Sequence, residues 1–175
     1  VFGLGKFGSS VAVTLEKLGC EVIAVDIAEE KVQEIADQVS YAMRADLHDT
    51  GVIQSLGLRN LDGAVVAIAD NMESSIMATI LSKEAGIPYV LAKAQDELHA
   101  SILKRVGADA IVFPEMEMGR RVAKNLVSTN FADWIELSPD YSIVETRVPE
   151  KWIGKTLREL CIRERYGFNV VGIKK

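Results

Sequence analysis

Along the first hundred or so residues, short runs of apolar and often β-branched residues alternate with longer stretches in which apolar positions recur three or four apart. That alternation is how a parallel sheet with crossover helices is written in sequence. The runs predict strands at 1–2, 21–26, 41–44, 64–69, 89–92 and 110–113, most of them nearly all apolar, as strands covered on both faces are. The stretches between predict helices at about 7–18, 29–38, 49–56, 71–85 and 97–106. Val11, Leu15 and Leu18 share one face of the first helix, and Gly19 follows in the place of a left-handed cap. Ile76, Ile80 and Leu81 repeat the pattern in the fourth, which Gly86 and Pro88 end. The expected fold is α/β: a Rossmann-like, doubly wound sheet of six parallel strands.

The alternation stops after Pro114. A helical stretch from Glu115 to about Ser128 puts Met118, Val122 and Leu126 on one face, and no further strand-helix unit follows. Strands at 133–137 and 142–148, a short helix near 156–161 and a strand at 169–173 instead predict the start of a small α+β module. The chain is therefore expected to divide into a Rossmann-like domain over 1–128 and a linker with a truncated second module over 129–175. Only two residues precede the first glycine, whereas strands average about 5–6 residues, so the chain reads as a piece of a longer protein.

Composition then excludes several classes. The 175 residues are 49% hydrophobic and 26% charged, with only 13 Gly and 4 Pro, which argues against a collagenous or disordered chain. With 20 basic and 25 acidic residues the net charge is −5, and no Lys/Arg block is dense enough to follow a nucleic-acid backbone. No stretch approaches the ~18–20 apolar residues of a membrane span, and no signal-peptide pattern is present, so a cytoplasmic chain without direct membrane insertion is expected. Cys20 and Cys161 lack the spacing of a disulfide framework or zinc site.

The chemistry is concentrated at strand ends. Gly3-Leu4-Gly5-Lys6-Phe7-Gly8 fits G-x-G-x-x-G between the first strand and the first helix. There Gly3 serves the tight turn, Gly5 lets a pyrophosphate approach the backbone, Gly8 permits close helix-strand packing, and the helix N-terminus attracts phosphate. Asp26 closes the second strand 18 residues after Gly8, where a carboxylate can accept from both ribose hydroxyls and repel a 2′-phosphate. Asp46 follows the third strand, where adenine would pass, or else caps the next helix as Asp49 also could. Asp70 and Asn71 after the fourth strand read equally as ligand contacts or helix caps. Lys93 ends the fifth strand, where it could meet a phosphate or ribose oxygen or simply be solvated.

Tyr89 and Lys93 have the spacing of a dehydrogenase Tyr-x-x-x-Lys pair, but on a strand they stand about 13 Å apart, so no such dyad is expected. His48 and His99 are expected at the surface on helix starts. No placed acid, base or nucleophile suggests an enzyme.

The N-terminal stretch resembles the RCK (KTN, TrkA N-terminal) domains of bacterial Ktr/Trk potassium-uptake regulators. The matching segments are Val1 to Gly8, Glu21 to Asp26, Leu56 to Asn60, Val65 to Ile68, Lys93 to Gln95, and Gly107 to Asp109 with Pro114-Glu115. The tail, with Tyr141 to Glu145 and Arg165 to Gly167, is similar to the opening of the family's C-terminal RCK module.

The resemblance implies a non-enzymatic, cytoplasmic homodimer, assembled into an octameric ring, that binds a nucleotide and gates a separate membrane potassium-transporter subunit. It implies ATP or ADP for Ktr-type members, the preferred expectation here, or NAD(H) for Trk-type ones. The implied binding set is the loop Gly3, Leu4, Gly5, Lys6, Phe7 and Gly8, then Asp26 and Ile27, Ala45 and Asp46, Ala67 and Ile68, with Lys93 and Glu115. Lys6 takes the place of the usual Arg that meets the terminal phosphate, a point charge in place of a bidentate fork. Glu115 matches an acidic position near the phosphates at the dimer interface that helps hold a divalent cation with ATP; alternatively it favours the first turn of its helix. The rival is an NAD-dependent oxidoreductase fragment lacking its substrate domain, since fold alone does not decide function.

Overall fold

The computed structural model describes residues 1–47, 60–127, 131–138 and 141–174, and the helix expected over 49–56, His48 and most of the 56–60 match lie outside them. By Cα packing the chain forms two compact units, Val1–Glu117 and Met118–Lys175.

In the first unit, β1 (Ile23–Asp26) pairs in parallel with β2 (Tyr41–Arg44), bringing Asp26 opposite Arg44. β3 (Gly63–Val66), β4 (Tyr89–Lys93) and β5 (Ala110–Val112) form a second parallel ladder. Phe2 joins the two, bridging Val25 on one side and Val66 on the other. Its N–H donates to Val65 O at 2.8 Å and its carbonyl accepts from Ala67 N at 2.7 Å. Five strands and this bridge give the parallel order β2, β1, Phe2, β3, β4, β5, the expected Rossmann-like sheet. Strand order reverses beside Phe2, and ligands of open α/β sheets bind at such a switch point, outside the carboxyl ends of the strands.

Successive strand residues point to opposite faces, and both faces are covered. Ala24 lies in an apolar cluster with Leu4, Ala12, Val32 and Ile35, which draws on α1 (Lys6–Lys17) and α2 (Glu29–Ile35). Val25 lies in the other, with Phe2, Val66, Val90, Ala78 and Leu103, the last two from α3 (Met72–Glu84) and α4 (Glu97–Arg105).

Two details of the first unit's α3–α4 contact differ from the sequence reading. The wholly buried residues of α3 include Ser75, Ala78, Thr79 and Ser82, whereas Ile76, Ile80 and Leu81 are only half-buried. Thr79 and Ser82 satisfy their hydroxyls on carbonyls one turn back, at 2.9 and 2.7 Å, so small polar side chains can sit inside where α3 meets α4. Against Ser75 lies His99, which is fully buried rather than at the surface. Its Nδ1 accepts from Gln95 N–H at 3.4 Å and its Nε2 lies 3.2 Å from Ser75 Oγ. Burial pushes this imidazole below its ordinary pKa, with Asp96 opposing.

Helix α5 (Pro114–Val127) begins in the first unit and ends in the second. Beyond it, β6 (Phe131–Ser138) and β7 (Tyr141–Thr146) pair antiparallel. α6 (Leu157–Leu160) starts with a reciprocal capping box between Thr156 and Glu159. Cys161, at φ +46°, ends this helix where the sequence predicts its end, and a second helix that the sequence reading does not include, α7 (Ile162–Tyr166), follows at once. Trp152, Tyr166 and Phe168 cluster, with the Trp152 and Tyr166 ring centroids 5.1 Å apart. The strand expected over 169–173 does not form, because no neighbouring strand among the described residues offers its backbone a partner.

Candidate functional site

The glycine loop leaves the sheet at Phe2, and its glycines have distinct tasks. Gly3 takes φ +91°, and a Cβ there would stand 2.8 Å from Ile68 Cγ1. A Cβ on Gly8 would lie 1.8 Å from Gly3 O and 3.0 Å from Ala67 Cβ, so the first turn of α1 is seated directly on the loop and on the end of β3. A Cβ on Gly5 would meet nothing within 4 Å. Gly5 is also the N-cap of α1, and it supplies no side-chain cap to the helix's first N–H groups. Open space above backbone donors at a helix start suits a phosphate.

Asp26 is buried, at 8% exposure, and does more than the sequence suggested. Its Oδ2 accepts from Leu4 N–H at 2.6 Å and its Oδ1 from Ala28 N–H at 2.9 Å. The carboxylate thus pins the loop to the end of β1 before any ligand is considered. Lys31, which the sequence reading did not single out, reaches within 3.5 Å of Oδ2 from α2. Ser9 steadies the loop from the other side, donating to Leu4 O at 2.9 Å.

Lys93, Glu115 and Phe7 come together at the carboxyl edge. Lys93 Nζ donates to Glu115 Oε1 at 2.5 Å and stands 5.9 Å from the Phe7 ring centroid. The Lys93 side chain is 13% exposed and the Glu115 side chain 72%. The lysine's hydrogen bond, helped by the residue's own backbone N–H, holds the Glu115 carboxyl below its ordinary 4.5. Two groups expected to act separately, one on phosphate and one on a cation, therefore neutralise each other.

Lys93→Ala should return the Glu115 carboxyl toward 4.5 in an NMR titration, and an unmoved value would dissolve the pairing. Because folding depresses that value, the pair's contribution is present above about pH 4.5 and drains away as pH falls through the folded value. Its size, for so exposed a carboxylate, is at most about 1 kcal/mol.

The other expected residues are less gathered. Ala45 is buried, its N–H donating to Asp26 O at 3.1 Å, while Ile27 and Asp46 are exposed at the ends of β1 and β2. Ala67 is buried beneath the loop with Ile68 half-buried beside it. Lys6 is exposed, and among the described residues it has no ion-pair partner. Asn71 is engaged as the N-cap of α3, accepting from Ser74 N at 2.9 Å, which gives it the structural of its two readings. Among the described residues, no helix is long and apolar enough to cross a membrane.

Comparison with known proteins matches the chain to a family. The TrkA-N domain family matches residues 1–114. The Ktr system potassium uptake protein C of Bacillus subtilis (strain 168) is 45% identical over 175 residues, covering 100% of this chain and 79% of that protein. The structure of the GsuK channel bound to NAD superposes with a TM-score of 0.69 at 15% identity, over 99% of this chain and 32% of the channel chain. GsuK bound to ADP gives 0.59 at 14%, over 92% and 50%. At such identities the likeness to GsuK is one of fold.

Proposed function

The chain belongs to the TrkA-N domain family, and from that premise we propose that it is a nucleotide-binding regulatory subunit of a potassium uptake system rather than an enzyme. The observation that carries the reading is the loop over Asp26: an uncapped helix start, open space at Gly5 and a buried carboxylate, arranged at the switch point of the sheet. Its relative is named for potassium uptake, and structures of the same fold are described with NAD and with ADP.

In this reading the phosphates lie on the backbone N–H groups that open α1, with Lys6 above them. A carboxylate offers about four acceptor positions, so Asp26 can hold the loop and still accept from the ribose hydroxyls. Asp26 and Ile27 with Ala45 and Asp46 flank the nucleoside; Ala67 and Ile68 support the loop from below. The preferred ligands are ATP and ADP, with NAD(H) the alternative. A terminal phosphate would compete with Glu115 for Lys93 and free that carboxylate for a divalent cation.

A ligand shifts a two-state protein only when it binds the states unequally. The third phosphate is the difference available to this site. The protein would work as a homodimer, assembled into a ring, in the cytoplasm against a membrane transporter subunit.

Calorimetric titration of nucleotide-free protein tests the reading. ATP and ADP should bind at least as well as NADH. A clear preference for NADH would remove the Ktr-type assignment, and turnover of NADH with keto acids would overturn the regulatory reading in favour of an oxidoreductase.

A further inference from the structure

Arg44 stands at the carboxyl edge with its charge unused. It ends β2 directly opposite Asp26, yet it does not pair with that carboxylate, whose oxygens are taken by Leu4 N–H, Ala28 N–H and Lys31. Instead Arg44 Nε donates to the neutral carbonyl of Ile27 at 3.1 Å. Among the described residues the guanidinium has no carboxylate partner, and the side chain is exposed. The bond to Ile27 O ties the group to the end of β1, beside an Ile27 side chain that is itself 57% exposed.

An apolar side chain and an anchored planar cation thus stand open, side by side, next to the ribose-binding carboxylate. A base hangs from the ribose it belongs to, so a nucleotide held at Asp26 presents its ring to this corner. A guanidinium stacks on an aromatic face, favouring the larger purine surface over a pyrimidine, and a lysine ammonium lacks the plane to do so.

We infer that Arg44 is the base-recognising residue of the site, its guanidinium stacked on the purine ring of the nucleotide whose ribose Asp26 holds. The inference rests on the nucleotide-binding reading above and adds to it a specificity residue.

The test is calorimetry on the full chain with AMP, ATP, UMP, NADH and NADPH, comparing wild type with Arg44→Ala and Arg44→Lys. Arg44→Ala should weaken AMP and ATP by the same factor, about three- to tenfold, and leave UMP unchanged. Arg44→Lys should recover little of the loss. Both variants should melt as wild type does, since the residue is exposed.

Unchanged AMP affinity in Arg44→Ala overturns the inference. So does full recovery by lysine, or a loss that grows with the number of phosphates, since either would make the contact one of charge. Tighter binding of NADPH than NADH that vanishes in Arg44→Ala overturns it too, giving the guanidinium to a 2′-phosphate. If wild type binds ATP and the variants match it, Arg44 alone is at fault; if wild type binds no nucleotide, the underlying reading falls with it.

Discussion

Gly8→Ala destabilises the first unit by at least about 3 kcal/mol, the upper end of what overpacking costs, and abolishes nucleotide binding. The new Cβ would sit 1.8 Å from Gly3 O, a backbone atom that cannot swing aside as a side chain could. Relief requires lifting α1 from the sheet, which breaks the contact with Ala67 and moves the N–H groups proposed to hold phosphate. Chemical denaturation reads the loss, and a wild-type midpoint would mean that α1 does not rest on Gly3 and Ala67.

Gly5→Ala is the control from the same loop. Gly5 has an ordinary extended backbone, φ −68° and ψ −177°, and open space around its missing side chain. That variant should fold normally yet lose more than about tenfold in nucleotide affinity, or 1.4 kcal/mol, because its methyl occupies the ligand's approach.

The second large effect is expected at Asp26, where stability and binding fall together. Asp26→Ala removes the acceptor from Leu4 N–H and Ala28 N–H, and an unsatisfied buried donor costs about 1–3 kcal/mol. On the proposed reading it also removes the acceptor for ribose, where hydrogen bonds to a charged group contribute about 1.5–3 kcal/mol, so affinity for ATP, ADP and NADH should drop at least about tenfold. Asp26→Asn separates the two. Its oxygen can still take one N–H, while its amide nitrogen faces a donor, so the variant should melt between wild type and Asp26→Ala and bind as poorly as the latter. Affinity unchanged in both variants would take this residue out of the site.

The glycine loop and Asp26 were legible in the sequence because local geometry dictates them: a positive φ at Gly3, contact at Gly8, a strand end at Asp26. His99 was not, because its partner on α3 is a serine, Ser75, in a helix whose buried residues also include Thr79 and Ser82, letters that read as outside until their hydrogen bonds are seen. Arg44 gains its place from strand register, which pairs residues 18 apart in a way no local pattern announces. Lys93 and Glu115, 22 residues apart, each had a sensible separate role, and only the fold makes them partners. Helix α7 was missed because it is a five-residue turn entered through one left-handed residue, Cys161, too short to show a periodicity of its own.

The unequal exposure of Lys93 and Glu115 gives that pair a direction. An ammonium so enclosed is better off with an anion beside it, while the carboxylate that supplies it stands in water and can depart at little cost. An arriving phosphate would then replace one resident counterion with another, and the charge balance around Lys93 would scarcely change. What changes is where the displaced negative charge goes: outward, on the first turn of the helix that leads from the first unit into the second.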